Sequence, residues 1–459
     1  MLNQQAAAVR ARLDRLPPSR YMWKLVLLLS LGGYFEYYDL FLTAYIGPGL
    51  VRSGFFSSTS GSFFGISGLA SFVSSTFIGL FLGTMIFSFT ADRFGRRFIF
   101  TGSLIWYTLA TAIMAFQHSP AGIDFWRMAA GIGIGVEIVT IDAYIAELVP
   151  SHMRGRAFAV NQAVQFLAVP VVALLCWWLV PRNPFGFAGW RWVVLIGSTS
   201  AIFVCFIRRE IPESPRWLLI KGRVAEAESV VTSIEARVQA ETGSLPPVLI
   251  VDQPEEARGT FRDILEPPYL QRTLMLMIFN FFQTIGYYGF ASWVPTLLIA
   301  KGVTITSSLR YSFLIAMAAP LGPVVATRVA DKFERKWQII ISAICIAAFG
   351  LLFSWETTSA SLVACGVALT CANNWMSVAF HTYQAELFPT RVRAQAVGFV
   401  YSWSRLSAIF TSLLIGFFLR DFGTDGVFAF IAASMLAVIL SIGIFGPRTR
   451  GLALEDISA

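Results

Sequence analysis

The sequence predicts an all-α membrane protein whose twelve transmembrane helices form two pseudo-symmetric six-helix bundles, and three observations carry that expectation. Hydrophobic residues make up 56% of the 459 and charged residues 14%, with a mean hydropathy of +0.65, a balance outside the range of soluble domains. Apolar runs long enough to cross a hydrocarbon core of about 30 Å, roughly 20 residues each, occur six times on either side of one long polar interruption. The two sides also repeat each other. ADRFGRR from Ala91 reappears as ADKFERK from Ala330, and AYIAELVPSHMRGRA from Ala143 reappears as TYQAELFPTRVRAQA from Thr382. Both pairs are offset by about 239 residues, which unrelated signatures would not share. The expected organisation is a basic amphipathic segment over 1–23, a first bundle over 24–207, a cytoplasmic linker with surface helices over 208–271, a second bundle over 272–446 and a tail over 447–459.

The net charge of +8 is not spread evenly. Basic residues gather in alternate loops: the amino-terminal segment (Arg10, Arg12, Arg15, Arg20, Lys24), the repeated loops, the linker and the tail (Arg448, Arg450). The opposite loops hold only Arg52, Arg182, Arg191, Lys301, Arg310 and Arg420. That asymmetry places both termini and the linker in the cytoplasm, makes the lipid bilayer the macroscopic partner and argues against nucleic acid. The first apolar run, Leu25 to Leu50, is too long for a cleavable signal and lacks a small-residue cleavage site. Cys176, Cys205, Cys345, Cys365 and Cys371 all fall within apolar segments, with neither a disulfide framework nor metal-ligand spacing. No phosphate-binding loop or catalytic triad is present and His118, His152 and His381 are scattered, so neither an enzyme nor a cofactor or metal site is expected.

Taken in order, the amino-terminal segment reads as a short helix lying on the inner membrane surface and ended by Pro17 and Pro18. The first span carries Glu36 and Asp39, three apart and therefore on one helical face; carboxylates at that depth are costly unless paired, solvated or protonated. Glycine and serine crowd the second span, which permits close helix approach. It runs into the cationic loop of Asp92, Arg93, Gly95, Arg96 and Arg97, which reads as a latch between helices. The third span is expected over Phe98 to Phe116. In the fourth, Gly131, Gly133 and Gly135 form a smooth wall. Arg127 shares a face with Gly131, Gly135 and Asp142 and needs a carboxylate partner, for which Asp39 or Glu36 is available.

The fifth span contributes Asn161, Gln162 and Gln165, a group that suggests a wet cavity. The sixth is expected over Trp192 to Ile207, and the linker after it alternates charged and apolar residues as surface helices do. The seventh presents Asn280, Gln283, Tyr287 and Tyr288 around Gly286 and Gly289. The eighth leads to the second cationic loop, with Asp331 and Arg335, where Glu334 replaces Gly95 and Thr327 stands for Ser88. On the tenth, Asn373, Asn374, Ser377 and His381 recur at helical spacing. Arg405 in the eleventh, beside Tyr401, is with Arg127 one of two basic residues placed deep within a span.

These motifs resemble the major facilitator superfamily along essentially the whole chain. Its sugar-porter-like branch is matched by the DRFGRR and DKFERK loops, by Arg127 with Gly131-x-Gly133-x-Gly135, by PESPRWLL, and by both Tyr-x-x-Glu-Leu-x-Pro-x-x-x-Arg segments. Those segments contain Glu147 with Arg154 and Glu386 with Arg393. Through GYYGFASWVPTLLIAKG and the EYYD of the first span, the chain is more closely similar to bacterial niacin transporters, the synaptic vesicle glycoproteins and organic-ion transporters. The resemblance implies the major facilitator fold and an alternating-access carrier with its substrate between the bundles. It also implies gating by the latch residues and proton coupling through Asp39 and Arg127, with Glu36 in reserve.

Scaffold residues repeat between the halves, whereas Arg127, Asp39 and Arg405 correspond to Gly366, Ile278 and Phe166. The unrepeated charges are therefore the better candidates for substrate and ion. Arg405 offers a carboxylate two parallel donors, and Tyr37, Tyr287 and Tyr401 can hold a flat ring. Asn280, Gln283, Asn373 and Asn374 can supply directional bonds. The expected function is import of a small aromatic monocarboxylate by proton symport, nicotinate being the choice the resemblance favours. The carrier is expected to be a monomer in a bacterial inner membrane. Other organic anions, sugars, organic cations and a transport-dead receptor stay open as alternatives.

Overall fold

The computed structural model of the chain describes residues 8–9, 11–56, 68–87, 93–248, 260–321 and 333–449, and among these no strand occurs. Asp92 and Asp331 of the two cationic loops, Ser88, Thr327, Arg10 and Arg450 lie outside the described residues. The first half contains α1 (Arg20–Arg52), α2 (Leu69–Phe87), α3 (Arg96–Met114), α4 (Pro120–Leu148), α5 (Ser151–Leu179) and α6 (Gly189–Glu210). The second contains α7 (Tyr269–Ala291), a short helix Val294–Ala300, α8 (Ile305–Ala316), α9 (Arg335–Trp355), α10 (Ser359–Glu386) and α11 (Thr390–Phe445). Sequence chemistry sets several starts. The side chains of Ser19, Ser119, Thr304 and Thr358 each accept a backbone N–H at the head of α1, α4, α8 and α10.

α11 carries both the eleventh and the twelfth spans. Gly423 within it has φ 66°, a left-handed conformation that suits glycine, and Phe418 stacks on Phe430 at 4.8 Å. In a straight helix those rings would be about 18 Å apart along the axis, so the chain turns back there. The eighth span is described only as far as Leu321.

Glycine spacing decides how α2 meets α4. A Cβ added to Gly79 would lie 2.1 Å from the Met128 carbonyl oxygen, and one on Gly83 2.1 Å from that of Ile132. From the other side, Gly131 faces the Thr76 carbonyl at 2.5 Å and Gly135 that of Leu80 at 2.3 Å. Backbone therefore packs on backbone over two turns, as small-residue spacing allows in membranes. This contact brings Thr76 within reach of Arg127.

The repeat in the sequence returns as a repeat of hydrogen bonds at the linker-bearing end. Arg96 pairs with Glu147 at 3.0 Å, and Arg335 with Glu386 at 2.9 Å. Arg154 donates to the Val149 carbonyl and Arg393 to that of Phe388, both at 3.1 Å. Tyr144 donates to the carbonyl of Pro212 and Tyr383 to that of Pro447. Arg97 reaches the Arg208 carbonyl and Lys336 that of Gly446. Arg93 is exposed over the ring of Phe94. One position differs for a conformational reason: Gly95 sits at φ 104°, whereas Glu334, at φ −58°, accepts the Thr449 N–H.

The amino-terminal segment, expected as a helix on the inner membrane surface, is in contact with the linker. Val9, Leu13 and Leu16 are buried, and Arg12 and Arg15 close on Glu235 at 2.5 and 2.6 Å. It packs on the linker helix Val224–Thr242, where one carboxylate satisfies two guanidinium groups. A second linker helix spans Pro215–Ile220.

Contacts between the halves gather toward the end away from the linker. Trp177 of α5 stacks on Phe313 of α8 at 5.8 Å, Phe77 of α2 meets Tyr288 of α7 at 4.7 Å, and Gly416 of α11 lies against Ala70. Asp142 and His381, nearer the linker-bearing end, are exposed.

Candidate functional site

Between the halves lies a cavity of about 80 Å³ walled by both. From the first half come Tyr37, Phe41, Gln162 and Phe166; Gln283, Tyr287, Tyr288, Phe380, His381 and Tyr401 come from the second. Phe41, Phe166 and Tyr287 are shared with a further chamber of about 40 Å³, where Asn373 and Asn374 lie. The arrangement is aromatic walls with a few polar tips, suited to a flat solute.

Arg405, 7% exposed, packs behind two of the tyrosines that wall this cavity, Tyr288 and Tyr401. Its guanidinium lies 3.4 Å from the hydroxyls of Tyr288 and Tyr401 and 5.0 Å from the Tyr401 ring centre. Among the described residues no carboxylate closes an ion pair with it. A buried guanidinium held by two long bonds to neutral hydroxyls keeps most of its donor capacity for another acceptor.

The second centre is wholly within the first half. Arg127 is fully buried and donates through Nη1 to Asp39 Oδ2 at 3.0 Å, through Nη2 to the Asp39 carbonyl at 2.5 Å, and through Nε to Thr76 at 3.0 Å. Thr111 of α3 donates to the same carboxylate at 3.1 Å. Of the two carboxylates open to Arg127 in the sequence, the structure pairs it with Asp39. Glu36, one turn away, is also buried, but neither of its oxygens has a hydrogen-bond partner among the described residues.

Of the residues expected at the substrate site, Tyr37, Gln283, Tyr287 and Tyr401 line the central cavity, and Arg405, outside the lining, bonds the hydroxyls of Tyr288 and Tyr401 in its wall. Asn373 and Asn374 line the further chamber, their amides donating to the carbonyls of Leu369 and Ala319. Asn280 lies apart from both chambers. Fully buried, it donates to the Leu276 carbonyl of its own helix and does not line the cavity, because the adjacent turn presents Gln283 instead. Phe166, Tyr288 and Phe380 were not singled out as binding residues. Apolar rings carry no chemical flag, although Phe166 is the repeat partner of Arg405. Glu137 on α4 was also missed, although the rule that marks Glu36, an acid deep in an apolar span, marks it equally.

A larger groove of about 840 Å³ opens on the flank between Trp23, Leu27, Leu31, Val164 and Phe206. Its polar groups are confined to one end, where Ser19 caps α1, Arg20 is exposed and Lys24 is taken by Glu210 at 2.6 Å. It does not have the makings of a solute site.

A family model described as "Sugar (and other) transporter" matches residues 25–459. A Bacillus subtilis metabolite transport protein, YyaJ, is 31% identical over 96% of this chain and 95% of its own. The niacin transporter NiaP of Acinetobacter baylyi is 28% identical over 97% of this chain and 99% of its own. Among solved structures, a partially occluded inward-open form of the xylose transporter XylE from Escherichia coli superposes with a TM-score of 0.74 at 21% identity, covering 95% of this chain and all of that one.

Proposed function

Because this chain belongs to the sugar (and other) transporter family, a group of multi-pass membrane carriers for small molecules, we propose that it imports a small aromatic monocarboxylate, nicotinate foremost, together with a proton. The observation that carries the substrate class is Arg405, a buried cation without an ion-pair partner among the described residues, set beside an aromatic cavity between the halves. A carboxylate fits its two parallel donors, and the desolvated site strengthens the pair. Tyr37, Tyr287, Tyr288 and Tyr401 hold the ring, and Gln283 supplies a directional bond. The similarity to NiaP favours a pyridine over other rings.

Asp39 is the coupling acid and Arg127 its partner. When the pair is closed, Arg127 and Thr111 satisfy the Asp39 carboxylate; a local shift of α1 against α4 within the first bundle opens the pair during the cycle, and the desolvated carboxylate then takes up a proton. The bundles, 24–207 and 272–446, rock about the central site. Arg93, Arg96, Arg97, Glu147 and Arg154, with Arg335, Glu386 and Arg393, gate the linker-bearing end, and Asp92 and Asp331 belong to the same loops. Placement of basic residues supports a bacterial inner membrane with both termini cytoplasmic, and a monomer suffices because each chain contains both halves of the site.

The test is equilibrium binding of nicotinate and of uncharged nicotinamide to purified protein. Nicotinate binds and nicotinamide competes poorly; Arg405→Ala abolishes binding in a folded protein and Arg405→Lys restores little of it. Nicotinate binding of wild-type strength in a folded Arg405→Ala variant removes the assignment.

A further inference from the structure

Two acids beside the Asp39 centre have no place in the scheme above. Glu36 is 1% exposed and Glu137 is fully buried, and among the described residues none of their four carboxylate oxygens has a hydrogen-bond partner. They belong together. A Cβ on Gly32, one turn from Glu36 on the same face of α1, would lie 3.0 Å from Glu137 Oε1, and the two carboxyl groups interact electrostatically. The groups facing them are few. Asp142 approaches from α4, the unpartnered hydroxyl of Tyr107 from α3 interacts with both, Gln165 of α5 packs beside Gly33, and Tyr37 lies on α1 itself. Among the described residues, the one cation acting on Glu36 is Arg405, from the opposite half.

We propose that Glu36 and Glu137 form a second proton site, a carboxyl pair that shares one proton while Arg405 is free and takes up another from solution when an anion occupies Arg405. Two neighbouring buried carboxylates cannot both stay ionised at low dielectric, so one proton resides on the pair. The charge left on the pair is balanced by the Arg405 guanidinium. An anion bound there cancels that balance, and the pair becomes neutral by binding a proton. On release of the anion, the field of Arg405 expels the proton again. Anion and proton then bind cooperatively, and each favours the other by the same factor. Glu36 thus connects the substrate cation of one half to the acids of the other, a link the Asp39 and Arg127 pair does not make. The linkage rests on the proposed anion site at Arg405; the shared proton does not.

Infrared spectroscopy of the full-length protein separates the two. Without ligand, a band from a buried protonated carboxyl is present. Glu36→Gln and Glu137→Gln each shift or remove that same band, and Asp39→Asn leaves it. On addition of nicotinate the wild type gains protonated-carboxyl intensity and takes up about one proton per ligand, read from binding heats in buffers of different ionisation enthalpy. The double variant Glu36→Gln, Glu137→Gln takes up none. Absence of the band, or its survival unshifted in both single variants, overturns the pair. Binding without proton uptake overturns the linkage alone. If nicotinate, benzoate and related carboxylates all fail to bind, the anion reading of Arg405 falls and takes the linkage with it, while a band shared by both variants still upholds the pair.

Discussion

Arg127→Ala tests the buried centre by stability alone. The guanidinium donates three hydrogen bonds, two of them to Asp39, and no part of it reaches solvent. Its removal leaves the Asp39 carboxylate held by the Thr111 hydroxyl only, with a void where the guanidinium was. Breaking a buried ion pair by removing one partner costs about 3–5 kcal/mol, most of it the penalty of the stranded charge. The origin of that cost can be checked by a cycle. Asp39→Asn removes the charge, so the double variant Asp39→Asn, Arg127→Ala should be more stable than the sum of the single losses predicts, by about 2 kcal/mol. Arg127→Lys keeps the charge but gives up the planar fork, and falls between wild type and Arg127→Ala. The assay is reversible unfolding of the purified protein in detergent, followed by tryptophan fluorescence. A loss below about 1 kcal/mol for Arg127→Ala, or strict additivity in the cycle, refutes the reasoning.

Gly131→Ala places a methyl group 2.5 Å from the Thr76 carbonyl, and backbone cannot yield as a side chain does, so α2 and α4 must separate. A loss of about 1–3 kcal/mol is expected in the same assay, whereas Gly155→Ala, which meets nothing within 4 Å, costs less than about 0.5 kcal/mol. Glu235 gives a pH prediction for the docked amino terminus. Partial burial raises its carboxyl, but the bonds and charges of Arg12 and Arg15 outweigh that and leave it below the ordinary value of 4.5. A depressed folded value means that the stabilisation is complete above 4.5 and is lost as pH falls through the lower folded value. Spin labels on the segment and on Val224–Thr242 should stay close at pH 7 and move apart in acid, and in Glu235→Gln they should be apart at pH 7 already.

How much of this was legible in the sequence depends on whether a residue's chemistry betrays its surroundings. The shared offset of two motifs foretold the duplicated fold, and it reached as far as single bonds: Arg96 with Glu147 and Arg335 with Glu386 are the same contact made twice. The pairing of Arg127 followed from its place on the glycine face of α4, since a guanidinium there must find a carboxylate. Face arguments stop at the choice between neighbours. Asn280 and Gln283 are one turn apart on α7, and only packing shows that the first bonds its own helix while the second reaches the cavity. Phe166 and Phe380 were invisible because an apolar ring facing a cavity reads the same as one facing lipid. The amino-terminal helix was legible as amphipathic, but its partner was not, because periodicity gives a face and not what covers it. Spans three and six begin at Arg96 and Gly189, earlier than expected at Phe98 and Trp192, since charged and small residues at a membrane edge can still be helical.

The most direct test of the central claim is accumulation of radiolabelled nicotinate by proteoliposomes under an imposed proton gradient. An acid exterior should drive uptake above the equilibrium level, a protonophore should return it to that level, and Asp39→Asn should abolish accumulation while keeping binding. Uptake indifferent to the gradient in the wild type, or nicotinate still concentrated by Asp39→Asn, would contradict the account and leave a carrier without proton coupling at Asp39.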